Sequence, residues 1–575
     1  MKDYMKIYQE WLSNPYFDEA TKEELRAIEG NENEIKERFY MDLEFGTAGL
    51  RGIIGAGINR MNIYVVRRAT QGLANYIIKQ GAANKGVAIA YDSRHMSPEF
   101  AMEAAMTLAA NGIKAYKFES LRPTPELSFA VRELGCVAGI NITASHNPPE
   151  YNGYKVYWED GAQFTPPHDK GVTEEVLAIE DLSTVKTTDE ASATAAGLYQ
   201  VIGQEIDDKY IAQVKAQVVN QKAIDEMQDQ ITIVYTPLHG TGNIPARRVM
   251  KEIGFTHVYV VPEQELPNGD FPTVSYPNPE AKEAFELGLK LAKEKNADLV
   301  LATDPDADRL GVYAKDSKTG SYMPFTGNMS GLLIAEYELS VRKELGHLPK
   351  DGALVTTIVS SNMAEAIGKA YDVDVIEVLT GFKFIGEQIK WFEEQNTYHY
   401  VFGLEESYGC LAGTYARDKD ACVAVMMLCE VAAYCKSQGK TLWDAMLDMY
   451  EKYGYYKEGL ATITLKGIDG AQQIRDMMDK VRKEPPSEFG RFKVQAVRDY
   501  KADTRTDLAT GKTESTGLPN SNVLYYELSD GAWCCVRPSG TEPKIKFYFG
   551  VKGDSLESSK EQLQELEDAL MKKFK

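Results

Sequence analysis

Long apolar runs are missing from this chain: the longest, Ala421 to Cys429, falls far short of the ~20 residues that cross a bilayer. The opening, Met1-Lys2-Asp3-Tyr4, lacks the basic-then-apolar layout of a signal peptide. Positive charge is in deficit, with 64 Lys and Arg against 85 Asp and Glu and a net charge of -21. No broad basic face is therefore offered to nucleic acid or to an anionic membrane, and an anionic ligand must be held by cations concentrated locally. Cysteine is sparse. The seven residues, at 136, 410, 422, 429, 435, 534 and 535, are odd in number and form no Cys-x-x-Cys pair with a matching second half. That usage fits a reducing cytoplasm and argues against structural zinc. The expectation is a soluble cytoplasmic protein, a monomer or weak homo-oligomer, with no nucleic-acid or membrane partner.

What is present is ordinary globular composition, 43% hydrophobic and 26% charged over 575 residues, enough for about four domains at ~150 residues each. After an amphipathic, charged arm to about residue 40, strand-like and helix-like segments alternate, which predicts βαβ units with largely parallel sheets. Val87-Ala88-Ile89-Ala90, Lys114-Ala115-Tyr116 and Val137-Ala138-Gly139-Ile140 read as strands of a first block, with helices near 97–111 and 124–134. A second block runs from Ile231-Thr232-Ile233-Val234-Tyr235 through helices near 244–253 and 278–295 to Asp298-Leu299-Val300-Leu301-Ala302. A third opens with a helix near 328–345 and ends on Tyr400-Val401-Phe402. In all three the last strand runs into a polar loop, which suggests three related modules. The remainder is built differently: Ala461-Thr462-Ile463-Thr464-Leu465, a helix near 470–483, an antiparallel pair at 523–526 and 532–536, and a helix from about 555. It reads as a separate α+β domain, with 485–522 as a long excursion or loop.

The strand-end loops carry the chemistry. Thr143-Ala144-Ser145-His146-Asn147-Pro148 is a rigid polar turn that presents Ser145 at the carboxyl edge of a sheet, beside an imidazole and an amide. A serine in a turn often only caps its own backbone, so the reading rests on its company. Asp304-Pro305-Asp306-Ala307-Asp308-Arg309 places carboxylates at every second position, aimed at one point as a hard divalent cation needs. An EF-hand is excluded, because Arg309 stands where Gly belongs and Lys315 where Glu belongs. Arg537-Pro538-Ser539-Gly540-Thr541-Glu542-Pro543 combines a guanidinium, hydroxyls and an approachable amide, the set that clasps a phosphate dianion. Gly403-Leu404-Glu405-Glu406-Ser407 and Thr380-Gly381-Phe382-Lys383 suit a polyhydroxylated ligand, and Gly46-Thr47-Ala48-Gly49-Leu50-Arg51-Gly52 is a further glycine-rich turn with one arginine. Walker-type binding fails, since Tyr434 and Thr506 replace the required earlier glycine before Gly439-Lys440-Thr441 and Gly511-Lys512-Thr513.

In the order of these loops the chain resembles the α-D-phosphohexomutase family, and within it the long phosphoglucomutase-type members, from Gly46 to Pro543. The resemblance implies an α/β protein with three similar α/β domains, at 1–205, 206–322 and 323–450. It adds a fourth, TATA-box-binding-protein-like α+β domain at 451–575, around a central cleft. It implies that Ser145 is phosphorylated, with Mg²⁺ held by its phosphate and by Asp304, Asp306 and Asp308. Lys155 matches a lysine proposed for proton transfer, and Arg51, His146 and Arg309 match residues lining the phosphoserine. Thr380, Gly381, Lys383, Glu405, Ser407, Arg417, Lys419, Arg537, Ser539, Gly540 and Thr541 are the implied substrate contacts. One departure stands out: many bacterial phosphomannomutase-type members carry histidine two residues beyond the sugar-loop serine, where Tyr408 and Gly409 follow Ser407 here. The expected reaction is interconversion of α-glucose 1-phosphate and glucose 6-phosphate through a bisphosphorylated sugar, primed by glucose 1,6-bisphosphate. Mannose and pentose phosphates are the alternatives. A rival class also exists, because Asp304-Pro305-Asp306 resembles the opening of haloacid-dehalogenase-type aspartyl phosphatases. Against it, Asp308 stands where Thr or Val is usual and Ser145 would have no role. A nonenzymatic sugar-phosphate sensor is a third reading.

Overall fold

Buried strands alternate with amphipathic helices through most of the chain in the computed structural model, which describes residues 3–44, 49–465, 467–539 and 544–574. In the first sheet Val87–Tyr91 has parallel neighbours in Ala115–Phe118 and Ala138–Ile142, and Tyr151–Trp158 turns back antiparallel beside Ala138–Ile142. The second repeats this with Thr232–Thr236 between His257–Val260 and Leu299–Thr303, and with Leu310–Lys315 antiparallel outside. The third repeats it with Gly352–Thr357 between Asp374–Val378 and His399–Glu405, then Gly409–Ala412. Three modules thus share one topology. In each, the connection from the last parallel strand to its antiparallel neighbour leaves the carboxyl edge of the sheet, where α/β folds bind ligands. Those connections carry Ser145, Asp304 to Asp308, and Glu406 to Tyr408.

Val87–Tyr91, Ala138–Ile142, Leu299–Thr303 and Gly352–Thr357 are buried at every position, as parallel strands covered on both faces must be. The apolar run of the sequence forms the helix Ala421–Ser437, capped by Asp420 and packed on helices Gln221–Met227 and Asn243–Ile253 of the second module and Gly327–Glu344 of the third. Its Glu430 accepts from the Val219 and Asn220 amides and the Tyr337 hydroxyl. Among the described residues no single helix is long and apolar enough to cross a membrane. The N-terminal arm is three short helices capped by Asp3, Asp18 and Asn31, closing a small core of Tyr8, Trp11, Phe17 and Phe39 on Ala56, Ile58 and Tyr64.

The fourth domain is an antiparallel sheet with helices Gly467–Lys483 and Leu556–Phe574. Alternation along Trp533–Pro538 sorts its side chains. Cys534 and Val536 face the core shared with Ile474, Leu566 and Leu570, while Trp533 and Cys535 pack with Ile358, Val359 and Leu379 of the third domain. Two expectations are corrected. The stretch 485–522 is not simply a loop, because it holds the strands Phe492–Asp499 and Thr504–Asp507. Phe492, Val494 and Ala496 are buried in turn with Lys493 and Gln495 exposed, a period-2 signal set among polar residues. The helix expected over 278–295 begins later, as a 3-10 turn Lys282–Phe285 followed by Glu286–Lys295, since Ala281 N bonds Asn278 O in a preceding turn around Pro279.

Candidate active site

Ser145 sits at φ 51°, a left-handed backbone that a non-glycine residue adopts only when its surroundings fix it. What fixes it is Arg94. This fully buried guanidinium donates to the carbonyls of Ser145 (2.6 Å), Pro148 (2.8 Å), Tyr151 (3.0 Å) and Asn147. It is paired with Asp92 at 3.3 Å, and Asp92 also accepts from Thr143 and Ser97. The Ser145 amide is held by Thr143 Oγ1 at 2.8 Å. Ser145 Oγ is thereby turned to donate to Asp304 Oδ2 at 2.7 Å, with His146 Nδ1 at 3.2 Å. Burial, with Arg309 and Arg51 adding to it, pushes His146 well below the usual imidazole range. Arg51, on the strand Leu50–Ile53, donates to Asn147 Oδ1 at 3.0 Å.

Asp304, Asp306 and Asp308 are buried, and each offers a carboxylate oxygen within 4.8 Å of the others. Asp304 Oδ1 accepts from the Asp308 and Arg309 amides, so the loop folds around its own first carboxylate. Asp306 Oδ2 accepts from Lys155 Nζ and Thr124 Oγ1, both at 2.7 Å. Asp308 Oδ2 lies 3.5 Å from Lys155 Nζ and 3.1 Å from Lys419 Nζ. Asp306 Oδ1 and Asp308 Oδ1 are buried with no hydrogen-bond partner among the described residues. A hard cation supplies what such oxygens lack, and an all-oxygen donor set suits Mg²⁺. The electrostatics agree. Burial and the neighbouring Asp306 and Asp308 charges hold Asp304 well above the carboxylate range, whereas Lys155 overcomes burial to hold Asp306 below it.

The other expected residues fall into two sets. Glu405, at the end of His399–Glu405, is buried, and burial, opposed by Lys419 and helped by Glu406, raises it to about 7. Ser407 Oγ donates to Glu406 Oε1 at 3.2 Å, and Glu406 in turn accepts from Thr357. Lys419 reaches Asp308 because position 409 is glycine: a Cβ there would stand 2.0 Å from Lys419 Cδ. Thr380 Oγ1 is buried without a partner among the described residues, and Gly381 takes φ 115° at the start of Phe382–Gln395. Lys383 Nζ lies 3.4 Å from Phe164 O, and burial lowers it, with Arg537 contributing. Arg309 bonds Glu280 at 3.0 Å. Arg537 is paired in register with Lys546, and Ser539 N bonds Lys544 O at 2.8 Å. Arg417, expected beside Lys419, is not brought to the cluster. Its guanidinium is fixed to Glu393 at 2.5 Å and to Thr414 O, because its neighbour Asp418 takes the other side of the bend and accepts from Tyr157. Gly540 and Thr541, and Gly46 to Ala48 of the glycine-rich turn, lie outside the described residues.

Four phosphoglucomutase/phosphomannomutase family domains match in order: alpha/beta/alpha domain I at residues 42–183, domain II at 208–319, domain III at 326–453 and the C-terminal domain at 480–572. A phosphoglucomutase of Staphylococcus haemolyticus is 36% identical over 519 residues, 90% of this chain and 92% of its own. Another from Staphylococcus epidermidis is 35% identical over 555 residues, 96% of each. The chain belongs to the phosphoglucomutase/phosphomannomutase family. It is accordingly a phosphohexomutase, an isomerase of the mutase kind. Among solved structures, a phosphomannomutase described as putative from Thermus thermophilus superposes with TM-score 0.68 at 20% identity, covering 92% of this chain and 99% of that one. The open form of pp63/parafusin, a Paramecium phosphoglucomutase, gives 0.68 at 17% over 93% and 96%. At these identities the likeness concerns the fold.

Three residues of this candidate site escaped the sequence reading. Arg94 follows the buried strand Val87–Tyr91 as Asp92-Ser93-Arg94, a strand-end polar loop like the others, and that position was its signal. Thr124 ties domains together: its amide and hydroxyl donate to Asp306 at 2.9 and 2.7 Å, and its hydroxyl accepts from Asn141. Lys546 shows only through its cross-strand pairing with Arg537. Replacing Arg94 by Lys keeps the charge but not the fork that reaches several carbonyls. Since hydrogen bonds to charged groups are worth about 1.5–3 kcal/mol, kcat is expected to fall on the order of 10- to 100-fold with KM little changed. Steady-state kinetics alongside a melting curve checks this, and an unchanged kcat in a folded variant would remove Arg94 from the positioning of Ser145.

Proposed function

We propose that the protein interconverts α-D-glucose 1-phosphate and D-glucose 6-phosphate, with Ser145 carrying a phosphoryl group that it gives to one sugar hydroxyl and recovers from the other end of the sugar. The observation that carries this reading is Ser145 Oγ held 2.7 Å from Asp304, beside buried oxygens of Asp306 and Asp308 that have no hydrogen-bond partner among the described residues. In the first half-reaction the bond from phosphorus to serine oxygen breaks as the sugar hydroxyl oxygen bonds phosphorus. The hydroxyl proton is balanced by the one taken up at the departing Ser145 oxygen, and we assign Lys155, the buried ammonium between Asp306 and Asp308, to relay it, giving a proton as it receives one. In the second, the phosphate at the other carbon returns to Ser145. Asp304, Asp306 and Asp308, with the serine phosphate, would hold a Mg²⁺, which would supply charge compensation for the transferring group. Arg51, Arg309 and His146 surround the serine, while Lys383, Arg537 and Lys546 form the distal cationic wall for the phosphate that is not reacting. Glucose 1,6-bisphosphate is the primer we assign to unmodified Ser145.

Two features favour glucose. The Staphylococcus relatives are named phosphoglucomutase, and a histidine at position 409 would collide with Lys419. The aspartyl phosphatase reading is disfavoured because both oxygens of Asp304 are engaged, by Ser145 and by two backbone amides. We assign the enzyme to the cytoplasm, acting on sugar phosphates as a monomer or weak homo-oligomer; seven buried free thiols support a reducing compartment. Side-by-side kcat/KM values for glucose, mannose, glucosamine and ribose 1-phosphates test the substrate, and a mannose or ribose value well above glucose would overturn it. Arg537→Ala is expected to lower kcat/KM for glucose 1-phosphate on the order of 10- to 100-fold, the value of a lost charge-assisted hydrogen bond. Wild-type kinetics in that variant would move the phosphate clamp elsewhere.

A further inference from the structure

Asp308 is reached by two ammoniums from two different domains. Lys155 Nζ of the first domain stands 3.5 Å from Asp308 Oδ2, and Lys419 Nζ of the third stands 3.1 Å from the same oxygen. Lys155 is fixed by its 2.7 Å contact with Asp306. Lys419 is held differently. Its stem is confined by Gly409, where a Cβ would stand 2.0 Å from Lys419 Cδ, and its ammonium lies 5.8 Å from the centre of the Phe382 ring. Within those walls two carboxylates compete for it, Asp308 at 3.1 Å and its own neighbour Asp418 at 3.3 Å. Distances so nearly equal leave the balance to the other partners of Asp418.

The partner from outside its own loop is Tyr157. The phenol donates to Asp418 Oδ2 at 2.8 Å, while Oδ1 accepts from the Lys419 amide at 2.8 Å and from Lys419 Nζ. Gln163 Nε2 donates to the phenol oxygen at 3.2 Å, so the phenol proton is left for the carboxylate. Burial, with the Asp418 charge beside it, holds Tyr157 well above the usual phenol range, and the proton stays. Both side chains are buried. Alternation along Tyr151–Trp158 puts Lys155 and Tyr157 on one face, two residues apart. One strand of the first domain thus brings an ammonium to the carboxylate loop directly and governs a second one through Asp418.

We propose that Tyr157 is a positioning residue for phosphoryl transfer: by donating to Asp418 it limits that carboxylate's hold on Lys419 and keeps the Lys419 ammonium on Asp308. This rests on the reading that Ser145 and the Asp304 to Asp308 loop are the reacting centre. A buried carboxylate that loses a donor is left under-satisfied and draws harder on its remaining cation. Without the phenol proton Lys419 swings toward Asp418, and Asp308 keeps more uncompensated negative charge.

Tyr157→Phe removes one oxygen and keeps the ring. Its kcat for glucose 1-phosphate is expected to fall on the order of tenfold, the worth of one hydrogen bond to a charged group. Its Mg²⁺ affinity, measured by calorimetry without sugar, is expected to rise at least about twofold, because an ammonium that opposed the cation has withdrawn from Asp308. General damage to the site would lower both, so the opposed signs separate positioning from packing. Asp418→Asn, which weakens the pull on Lys419, should shift Mg²⁺ affinity the other way. In a Lys419→Met background Tyr157→Phe should change kcat and Mg²⁺ affinity by less than about twofold. An unchanged kcat, a Mg²⁺ affinity that is unchanged or lower in Tyr157→Phe, or a Tyr157→Phe effect that persists undiminished without Lys419 would overturn the proposal. Wild-type protein without turnover on glucose phosphates would count against the substrate reading alone, and the Mg²⁺ comparison would still decide the role of Tyr157.

Discussion

Ser145→Ala is expected to abolish interconversion, with kcat falling on the order of 10⁴-fold or more, the scale on which removing a covalent nucleophile acts in other enzymes. The reason is local. The hydroxyl that donates to Asp304 is the only group removed, and Arg94 continues to hold the loop through backbone carbonyls that the substitution leaves in place. Sugar-phosphate binding, which the distal cations Arg537, Lys546 and Lys383 are assigned to provide, should therefore survive within a few fold by calorimetry. The melting temperature should drop only by the worth of one buried hydrogen bond, about 1 kcal/mol. Near-normal turnover in this variant would remove Ser145 from the chemistry, and loss of binding together with turnover would point to a collapsed loop instead.

Asp306→Asn is the second large effect. Its carboxylate is the principal partner of Lys155, accepts from Thr124, and has one oxygen without a hydrogen bond among the described residues, available to a cation. The amide cannot replace the charge, so Mg²⁺ affinity and turnover should fall together, kcat/KM by on the order of 10²-fold or more, with raised Mg²⁺ restoring only part of it. Wild-type protein in excess chelator should likewise stop turning over and recover when Mg²⁺ is returned. Full activity in chelator, or an Asp306→Asn variant with wild-type Mg²⁺ dependence, would contradict the assignment of the three aspartates.

Most of the architecture was legible because the strands that matter are buried on both faces. Val137 to Ile140 and Leu299 to Ala302 are short apolar runs ending in polar turns, and such runs announce both a parallel strand and the position of its functional loop. Phe492 to Ala496 was not legible in the same way, since its alternation is brief and set among Lys, Arg and Gln. The site divided along similar lines. Ser145 and the Asp304 to Asp308 loop are local motifs whose chemistry can be read in one stretch of chain. Arg94 and Thr124 act on residues 51 and 182 positions away, and nothing in their own neighbourhoods states the partner. Arg417 shows the reverse error. It lies two residues from Lys419, but a bend in the chain sends one to Glu393 and the other to Asp308.

The central claim is that Ser145 carries the phosphoryl group, and the most direct measurement is the fate of label from glucose 1,6-bisphosphate. After incubation of the wild-type protein with the radiolabelled bisphosphate, peptide mapping should find one phosphate on the segment containing Ser145. That phosphate should resist hydroxylamine, as a serine ester does and an aspartyl phosphate does not, and should be lost to sugar on a chase with glucose 6-phosphate. Ser145→Ala should take up no label. Label that is released by hydroxylamine, that maps to the Asp304 loop, or that stays on the protein while turnover proceeds would contradict the account.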